Sequence, residues 1–166
     1  MFTKALLLAL IPALGLAIVP RQATDLLIPA IAGPKINLRL MKGKVVALAI
    51  VSTTCKDCIQ TVQALDRAQK QIGPRGFQAI VVVGDNESKA TAAPFAQRYR
   101  LTLPVGYLTK DEIVNVANIT TEKPVAPILM FIDKGGTVRA QYYGDNDFFK
   151  NVEPRIRAVV EDLLKK

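Results

Sequence analysis

The residues best suited to chemistry are the cysteines of Cys55-Lys56-Asp57-Cys58, the only two cysteines in a chain of 166 residues. Two thiols three positions apart can close into a disulfide and open again with little rearrangement of the backbone. This spacing suits thiol–disulfide exchange, in which one sulfur attacks a partner's disulfide and the other releases the product. A static structural disulfide is the alternative, although so short a loop contributes little stabilisation through loop closure.

The elements around the pair predict a different role for each cysteine. An unbroken apolar run from Val45 to Val51 precedes the pair and predicts a central β-strand covered on both faces. Apolar residues at helical spacing begin with Cys58, and the pattern stops at Gly73-Pro74. The unpaired N–H groups at the start of this helix favour a thiolate at Cys55. Cys55 is therefore predicted to be the attacking sulfur, and Cys58, which faces the domain one turn later, the resolving sulfur.

The remaining pattern predicts an α/β fold made of two halves. A second apolar run, 77–83, follows within the length of one crossover, which indicates a right-handed βαβ unit with parallel strands. The apolar run 128–132 leads through a Gly-Gly turn into an alternating segment, which is typical of an antiparallel hairpin, and a terminal helix follows near 152–163. Between the halves we expect a helical stretch to about Arg100 that Pro94 breaks or begins, a strand within 103–108 and a helix over 111–119.

The N-terminal sequence predicts a leader. Residues 5–19 form an uncharged apolar run that is short for a bilayer span of about 20 residues. The run fits a signal peptide, with Gly15 and Ala17 as the small residues near the cleavage site, or an uncut N-terminal membrane anchor. A buried first helix of the domain is the remaining alternative. Both forms of export place the remaining domain, residues 20–166, outside the cytoplasm. Its first part is Pro-rich and extended, with at most one edge strand, Ile36 to Leu40.

The composition excludes several kinds of site. The chain has no histidine, which excludes catalytic triads that use an imidazole and metal centres with histidine ligands. A zinc site needs four ligands, and two cysteines would have to be joined by carboxylates or by a partner chain, so we expect no metal and no other cofactor. The formal net charge is +8, but the basic residues are scattered and lack interleaved aromatic residues. This distribution predicts a solvated surface and no nucleic-acid partner.

The mature chain as a whole resembles the extracytoplasmic thioredoxin-like oxidoreductases of the TlpA/ResA type. This resemblance implies a thioredoxin-like α/β fold with a central mixed sheet (βαβ, then ββα) flanked by helices, and with a segment inserted between the halves. It also implies that the Ala126–Pro127 bond is cis and that this loop binds the extended backbone of the substrate. Thr54, directly before Cys55, is also predicted to contact the substrate. The resemblance rests on the Pro-rich stretch 20–31, Lys42-Gly43-Lys44-Val45-Val46, Thr53-Thr54-Cys55-Lys56-Asp57-Cys58, Asn86-Glu87-Ser88-Lys89, and the stretch 125–136.

Three positions depart from the usual pattern of this family. Thr54 stands where a tryptophan is usual and Asp57 where a proline is common; the two also match a helix capping pair, with Thr54 at the N-cap. Ala49 stands six residues before Cys55, where thioredoxins carry a buried aspartate. The resemblance places Glu87 near the cysteines, so Glu87 is predicted to handle the proton of the pair. The alternative is an acid that only complements the dipole of a helix start.

These observations predict a thiol–disulfide oxidoreductase. Its partners would be extracytoplasmic protein thiols and disulfides, together with an upstream redox partner that restores the Cys-x-x-Cys pair, and an uncut leader would add an association with the membrane. Two other functions stay open. A peroxiredoxin shares the fold and has a hydroxyl where Ser52 stands, but it carries a proline where this chain has Leu48. The other alternative is a non-catalytic thioredoxin-like module that binds a partner or delivers a metal.

Overall fold

The computed structural model describes residues 19–121 and 123–166. In this part of the chain, six strands form a sheet in the order β1-β8-β7-β4-β5-β6, and β2 pairs with β3 separately. The strands are β1 (Arg21–Gln22), β2 (Leu27–Ile28), β3 (Ile36–Asn37), β4 (Val45–Val51), β5 (Phe77–Val83), β6 (Val105–Tyr107), β7 (Ile128–Ile132) and β8 (Thr137–Tyr142). The α-helices are α1 (Lys56–Ile72), α2 (Ser88–Arg98), α3 (Lys110–Val116) and α4 (Val152–Lys165).

Strand β4 lies at the centre of the sheet. It runs parallel to β5 and antiparallel to β7, and all seven of its residues are buried. Residues on one face, such as Ala47 and Ala49, pack with α1 and α4, whereas Leu48 and Ile50 pack on the opposite face with α3 and the N-terminal segment. Because both faces of β4 are covered, its sequence is apolar throughout instead of alternating.

Both predicted halves are present, and the predicted fold class is confirmed. Strands β4 and β5 with α1 between them form the βαβ unit, and the antiparallel pair β7–β8 with α4 forms the ββα unit. The segment between the halves supplies α2, β6 and α3. The carboxyl ends of the parallel strands β4 and β5 therefore lie side by side at one edge, and β7 begins at that same edge.

The N-terminal segment, residues 20–44, pairs with both edges of the sheet. Strand β1 pairs with β8 at one edge, and Ala30 bridges to Gly106 of β6 at the other. The prediction of at most one strand in this segment is therefore wrong, and β3 is shorter than predicted because Leu38–Met41 form a 3-10 helix. Strand β1 and Ala30 pair with residues that are distant in the chain, which also shields backbone groups at the sheet edges, whereas β2 and β3 pair with each other.

Two predicted helix boundaries differ from the structure. Pro94 lies inside α2, whose helix neither begins nor breaks there. The carbonyl that Pro94 leaves without a donor belongs to Ala90, and both residues are exposed, so water can satisfy that carbonyl. Helix α3 ends at Val116 instead of Ile119, because Asn118 adopts a left-handed conformation with φ of 47° that stops the helix.

The predicted leader, apart from Val19, lies outside the described residues. Across residues 19–121 and 123–166, no helix combines the length and the apolarity needed to cross a membrane.

Candidate active site

Cys55 and Cys58 form a disulfide at the junction of β4 and α1. Their Cα atoms lie 5.2 Å apart. Cys55 is partly exposed, whereas Cys58, in the first turn of α1, is fully buried in the core. The two sulfurs therefore differ in access: one meets solvent, and the other is reached only through the first.

The start of α1 gives the Cys55 sulfur a hydrogen-bond donor. Cys55 is the N-cap residue, and the backbone N–H of Cys58 donates to Cys55 Sγ at 3.1 Å. The prediction that Thr54 caps this helix is wrong, because the sulfur occupies the place of the capping oxygen and Thr54 lies one residue outside. Amide donors and the positive end of the helix dipole stabilise a thiolate at this position once the disulfide is reduced.

The loop before β7 lies against the disulfide. Cys55 Sγ is 3.7 Å from the carbonyl oxygen of Ala126, and the Ala126–Pro127 bond is cis. The loop is held from behind by Gly144, whose N–H donates to the carbonyl of Val125 at 2.8 Å. A Cβ at position 144 would lie only 2.1 Å from Ala126 O. Glycine is therefore needed at this position for the loop to approach the end of β8.

Asp85 is a site residue that the sequence reasoning did not select. It follows β5 directly after Gly84, and its carboxylate accepts hydrogen bonds from the Thr53 N–H, at 2.9 Å, and from the Thr53 hydroxyl. Burial alone would raise the pKa of the Asp85 carboxyl, but the hydrogen bonds from Thr53 and from the Ser52 hydroxyl outweigh it, so the pKa lies below its ordinary value. Asp85 thus ties the turn that precedes Cys55 to the end of β5.

A signal for Asp85 was present in the sequence. Parallel neighbouring strands end at the same edge of a sheet, so the polar residues just after β4 and just after β5 have to meet. Both strands are recognisable as apolar runs, and Ser52-Thr53 and Asp85 follow them.

Two other predicted site residues, Thr54 and Glu87, have different surroundings in the structure. Thr54 is exposed beside Cys55, and its hydroxyl oxygen is 3.3 Å from that of Ser52. Glu87 is also exposed and stands immediately before α2, where its main-chain carbonyl accepts from the N–H groups at the helix start. Within the described residues, no hydrogen bond joins the Glu87 carboxylate to either cysteine. The structure therefore brings together the two cysteines, Thr54 and Ala126, and places Glu87 at the surface.

Comparison with known proteins settles the family. The sequence profile of the AhpC/TSA family matches residues 19–141. The chain belongs to the AhpC/TSA family. Among its relatives in this family, the thiol-disulfide oxidoreductase ResA of Geobacillus kaustophilus is 27% identical over 147 residues, which cover 81% of this chain and 82% of that protein. The thioredoxin-like protein YneN of Bacillus subtilis is 31% identical over 86 residues, about half the length of each chain (51%).

Solved structures show that this AhpC/TSA chain has a thioredoxin-like fold. A secreted thiol-disulfide isomerase from Corynebacterium glutamicum superposes with a TM-score of 0.72 at 17% identity, covering 87% of this chain and 86% of that one. A thiol:disulfide interchange protein of the thioredoxin family from Chlorobium tepidum gives a TM-score of 0.71 at 19% identity, covering 89% and 98%. The resemblance to ResA-type proteins is confirmed, and the chain is a thiol–disulfide oxidoreductase of the thioredoxin-like class.

Proposed function

We propose that this protein exchanges disulfides with extracytoplasmic proteins through Cys55 and Cys58. The observation that carries the proposal is the asymmetry of the pair. The Cys55 sulfur is accessible and accepts the amide hydrogen bond at the start of α1, and the buried Cys58 sulfur is already bonded to it. This arrangement favours the thiolate at the sulfur that a protein substrate can reach.

The exchange takes place in two steps. In the reduced protein the Cys55 thiolate attacks one sulfur of a substrate disulfide; a bond forms between Cys55 and that sulfur, and the other substrate sulfur leaves as a thiolate. The Cys58 thiolate then attacks Cys55 Sγ, which releases the substrate's second thiolate and closes the Cys55–Cys58 disulfide. Two electrons pass from the protein to the substrate. An upstream dithiol partner restores the pair by the same two steps, and the reverse direction oxidises a substrate dithiol.

The Ala126–Pro127 loop and Thr54 are the proposed substrate-binding residues. The Ala126 carbonyl lies beside the Cys55 sulfur, and Thr54 is the exposed residue directly before Cys55 in the chain. An extended polypeptide that places its cysteine against Cys55 would meet the loop backbone here. Glu87 is proposed to handle the proton of the pair; its exposed position near the start of α2 allows it to act through charge and solvent.

Export is part of the proposal. The apolar run 5–19 supports a signal peptide or a membrane anchor that precedes a thioredoxin-like domain over residues 20–166. The secreted isomerase with the same fold is consistent with such a location. A tagged full chain expressed in a bacterium with an oxidising periplasm should appear in that compartment, and deletion of residues 5–19 should abolish this. Retention of the complete chain in the cytoplasm would refute export.

The cysteine roles are tested with two single variants. Cys55→Ser should abolish the reduction of insulin disulfides, because the attacking sulfur is lost. Cys58→Ser should accumulate mixed disulfides with protein substrates, because the Cys55–substrate bond forms but is not resolved. Trapping by Cys55→Ser in place of Cys58→Ser would exchange the two roles. Peroxide consumption by the same wild-type preparation, with no reduction of protein disulfides, would favour a peroxiredoxin instead.

A further inference from the structure

Four lysines that are scattered in the sequence meet at one end of the sheet, the end opposite the disulfide. We call them the basic end: they are Lys42 and Lys44 before β4, Lys134 after β7 and Lys165 at the end of α4. The N–H of Gly43 donates to the carbonyl of Lys134 at 2.9 Å, and Lys134 Nζ donates to the carbonyl of Leu164 at 2.7 Å. These contacts join the three segments, so the lysines form one surface.

The carboxylate side chains at this end are already paired with other basic residues. The ion pairs are Asp25–Arg39, Asp133–Arg139, Glu161–Arg75 and Asp162–Lys166. Within residues 19–121 and 123–166, no salt bridge includes a lysine of the basic end. At the disulfide end lysines stand beside carboxylates, as in Lys56-Asp57 and Lys110-Asp111. The basic end therefore carries positive charge that the described residues do not compensate.

An exposed leucine stands beside these lysines. Leu40 belongs to the 3-10 helix Leu38–Met41, which leads into Lys42. It is 77% exposed, more than any other large apolar side chain in the described part of the chain. One exposed leucine is common in proteins, but here it protrudes from a surface with surplus positive charge. This combination fits the interface of an anionic bilayer, where lysines meet phosphate groups and an apolar side chain enters the acyl boundary.

The disulfide is far enough from the basic end to stay free. Strand β4 has seven residues between Lys44 and the turn before Cys55, which corresponds to about 20 Å of extended chain. The Debye length at physiological ionic strength is about 8 Å. A charged surface against the basic end would therefore neither cover Cys55 nor extend its potential to the thiolate.

We propose that the basic end docks on a bilayer that contains anionic phospholipid, so that the disulfide faces away from the membrane. The proposal does not depend on the cysteine chemistry, because it uses only the lysines and Leu40. Each lysine near such a surface contributes about fivefold to partitioning, so loss of two lysines corresponds to more than tenfold. A soluble acidic protein would satisfy the same charges, but it gives no reason for the exposed leucine among them.

The test uses tryptophan fluorescence. The chain contains no tryptophan, so Leu40→Trp places a single reporter at the basic end, and Val114→Trp places one on α3 at a position that is 41% exposed. The full-length protein is mixed with vesicles of phosphatidylcholine alone or with about one-third phosphatidylglycerol. Brominated acyl chains quench a tryptophan that enters the bilayer. The readout concerns position 40 itself, so it applies whether the run 5–19 is cut or retained as an anchor.

Matched charge variants are made in the Leu40→Trp protein. Lys42→Gln with Lys44→Gln removes two charges from the basic end. Lys89→Gln with Lys110→Gln removes two exposed charges from the first turns of α2 and α3. Both pairs lower the net charge equally and differ only in place. Alkylation of Cys55 in the reduced protein, by a maleimide that does not cross bilayers, reports the access to the disulfide end.

On the mixed vesicles, the Leu40→Trp emission should shift to shorter wavelength and be quenched by brominated lipid, whereas Val114→Trp and pure phosphatidylcholine should give neither change. The Lys42 and Lys44 pair should reduce this quenching at least about threefold, the Lys89 and Lys110 pair should retain it, and Cys55 alkylation should keep its rate. Absence of quenching, equal quenching on both vesicles, an equal loss in both pairs or protection of Cys55 would overturn the proposal. A fluorescence response to soluble polyglutamate with none to vesicles would replace the bilayer by an acidic protein.

Discussion

Gly144→Ala should displace the loop that faces the redox pair. The added Cβ would lie 2.1 Å from Ala126 O, 2.6 Å from Ala126 C and 3.1 Å from Pro127 N. All three neighbours are backbone atoms, and the two atoms of Ala126 would be closer than any ordinary contact, so the loop and residue 144 have to separate by about 1 Å. Position 144 does not have a left-handed φ, so alanine can adopt the local backbone conformation, and the effect of the substitution is steric.

The size of the effect follows from the contacts of the loop. The hydrogen bond from Gly144 N to Val125 O, 2.8 Å long, would lengthen or break, and the distance of 3.7 Å between Cys55 Sγ and Ala126 O would change by a comparable amount. Crowding of this kind costs about 1–3 kcal/mol of unfolding free energy. A shift of about 1 Å in a substrate-positioning element is able to lower a rate by about a hundredfold, so we expect insulin reduction to fall by about tenfold to a hundredfold.

The assay compares Gly144→Ala with Gly135→Ala in the turn between β7 and β8. An added Cβ at position 135 meets only the Asp133 side chain, at 3.3 Å. Unfolding in urea gives the free energy change, and insulin reduction is measured where both variants are fully folded. Attack on a small disulfide reports the intrinsic reactivity of Cys55. A Gly144→Ala protein with wild-type stability and wild-type insulin reduction would refute the argument that this contact sets the loop position.

Three further predictions concern carboxylates. Asp85→Ala should lower the unfolding free energy at pH 7 by about 1–3 kcal/mol, because the Thr53 N–H and hydroxyl lose their acceptor. Since the pKa of Asp85 is lowered in the folded state, its stabilisation is complete above the ordinary carboxyl pKa and disappears as the pH falls through the folded value. Urea titrations from pH 7 to pH 3 should therefore show a steeper loss of unfolding free energy for wild type than for the variant. Asp66→Ala should behave in the same direction, because Asp66 accepts from the Thr102 N–H and hydroxyl and its pKa is also lowered, and an unchanged melting temperature at pH 7 would contradict this. Glu87→Gln should shift the pH profile of Cys55 alkylation in the reduced protein, whereas superimposable profiles would leave Glu87 as a surface acid at the start of α2.

Much of the architecture is encoded in local patterns. The apolar run of β4, the helical spacing of α1 and the glycine and proline after it place Cys55 and Cys58 at a strand–helix junction without any knowledge of distant contacts. A strand buried on both faces has to be apolar throughout, and a helix has to repeat about every 3.6 residues, so these elements are visible in the sequence. The proposed roles of Cys55 as the attacking sulfur and Cys58 as the resolving sulfur follow from the same local order.

The detailed arrangement of the site depends on contacts between residues far apart in the chain. Asp85 meets Thr53 across 32 positions because β4 and β5 end at the same edge of the sheet. Gly144 meets Ala126 because β8 returns antiparallel to β7. The cap of α1 is by contrast a local contact, in which the Cys55 sulfur accepts from the Cys58 N–H and takes the place predicted for the Thr54 hydroxyl. Local periodicity specifies which elements form, whereas the strand order determines which of their ends meet, and here those ends carry the chemistry.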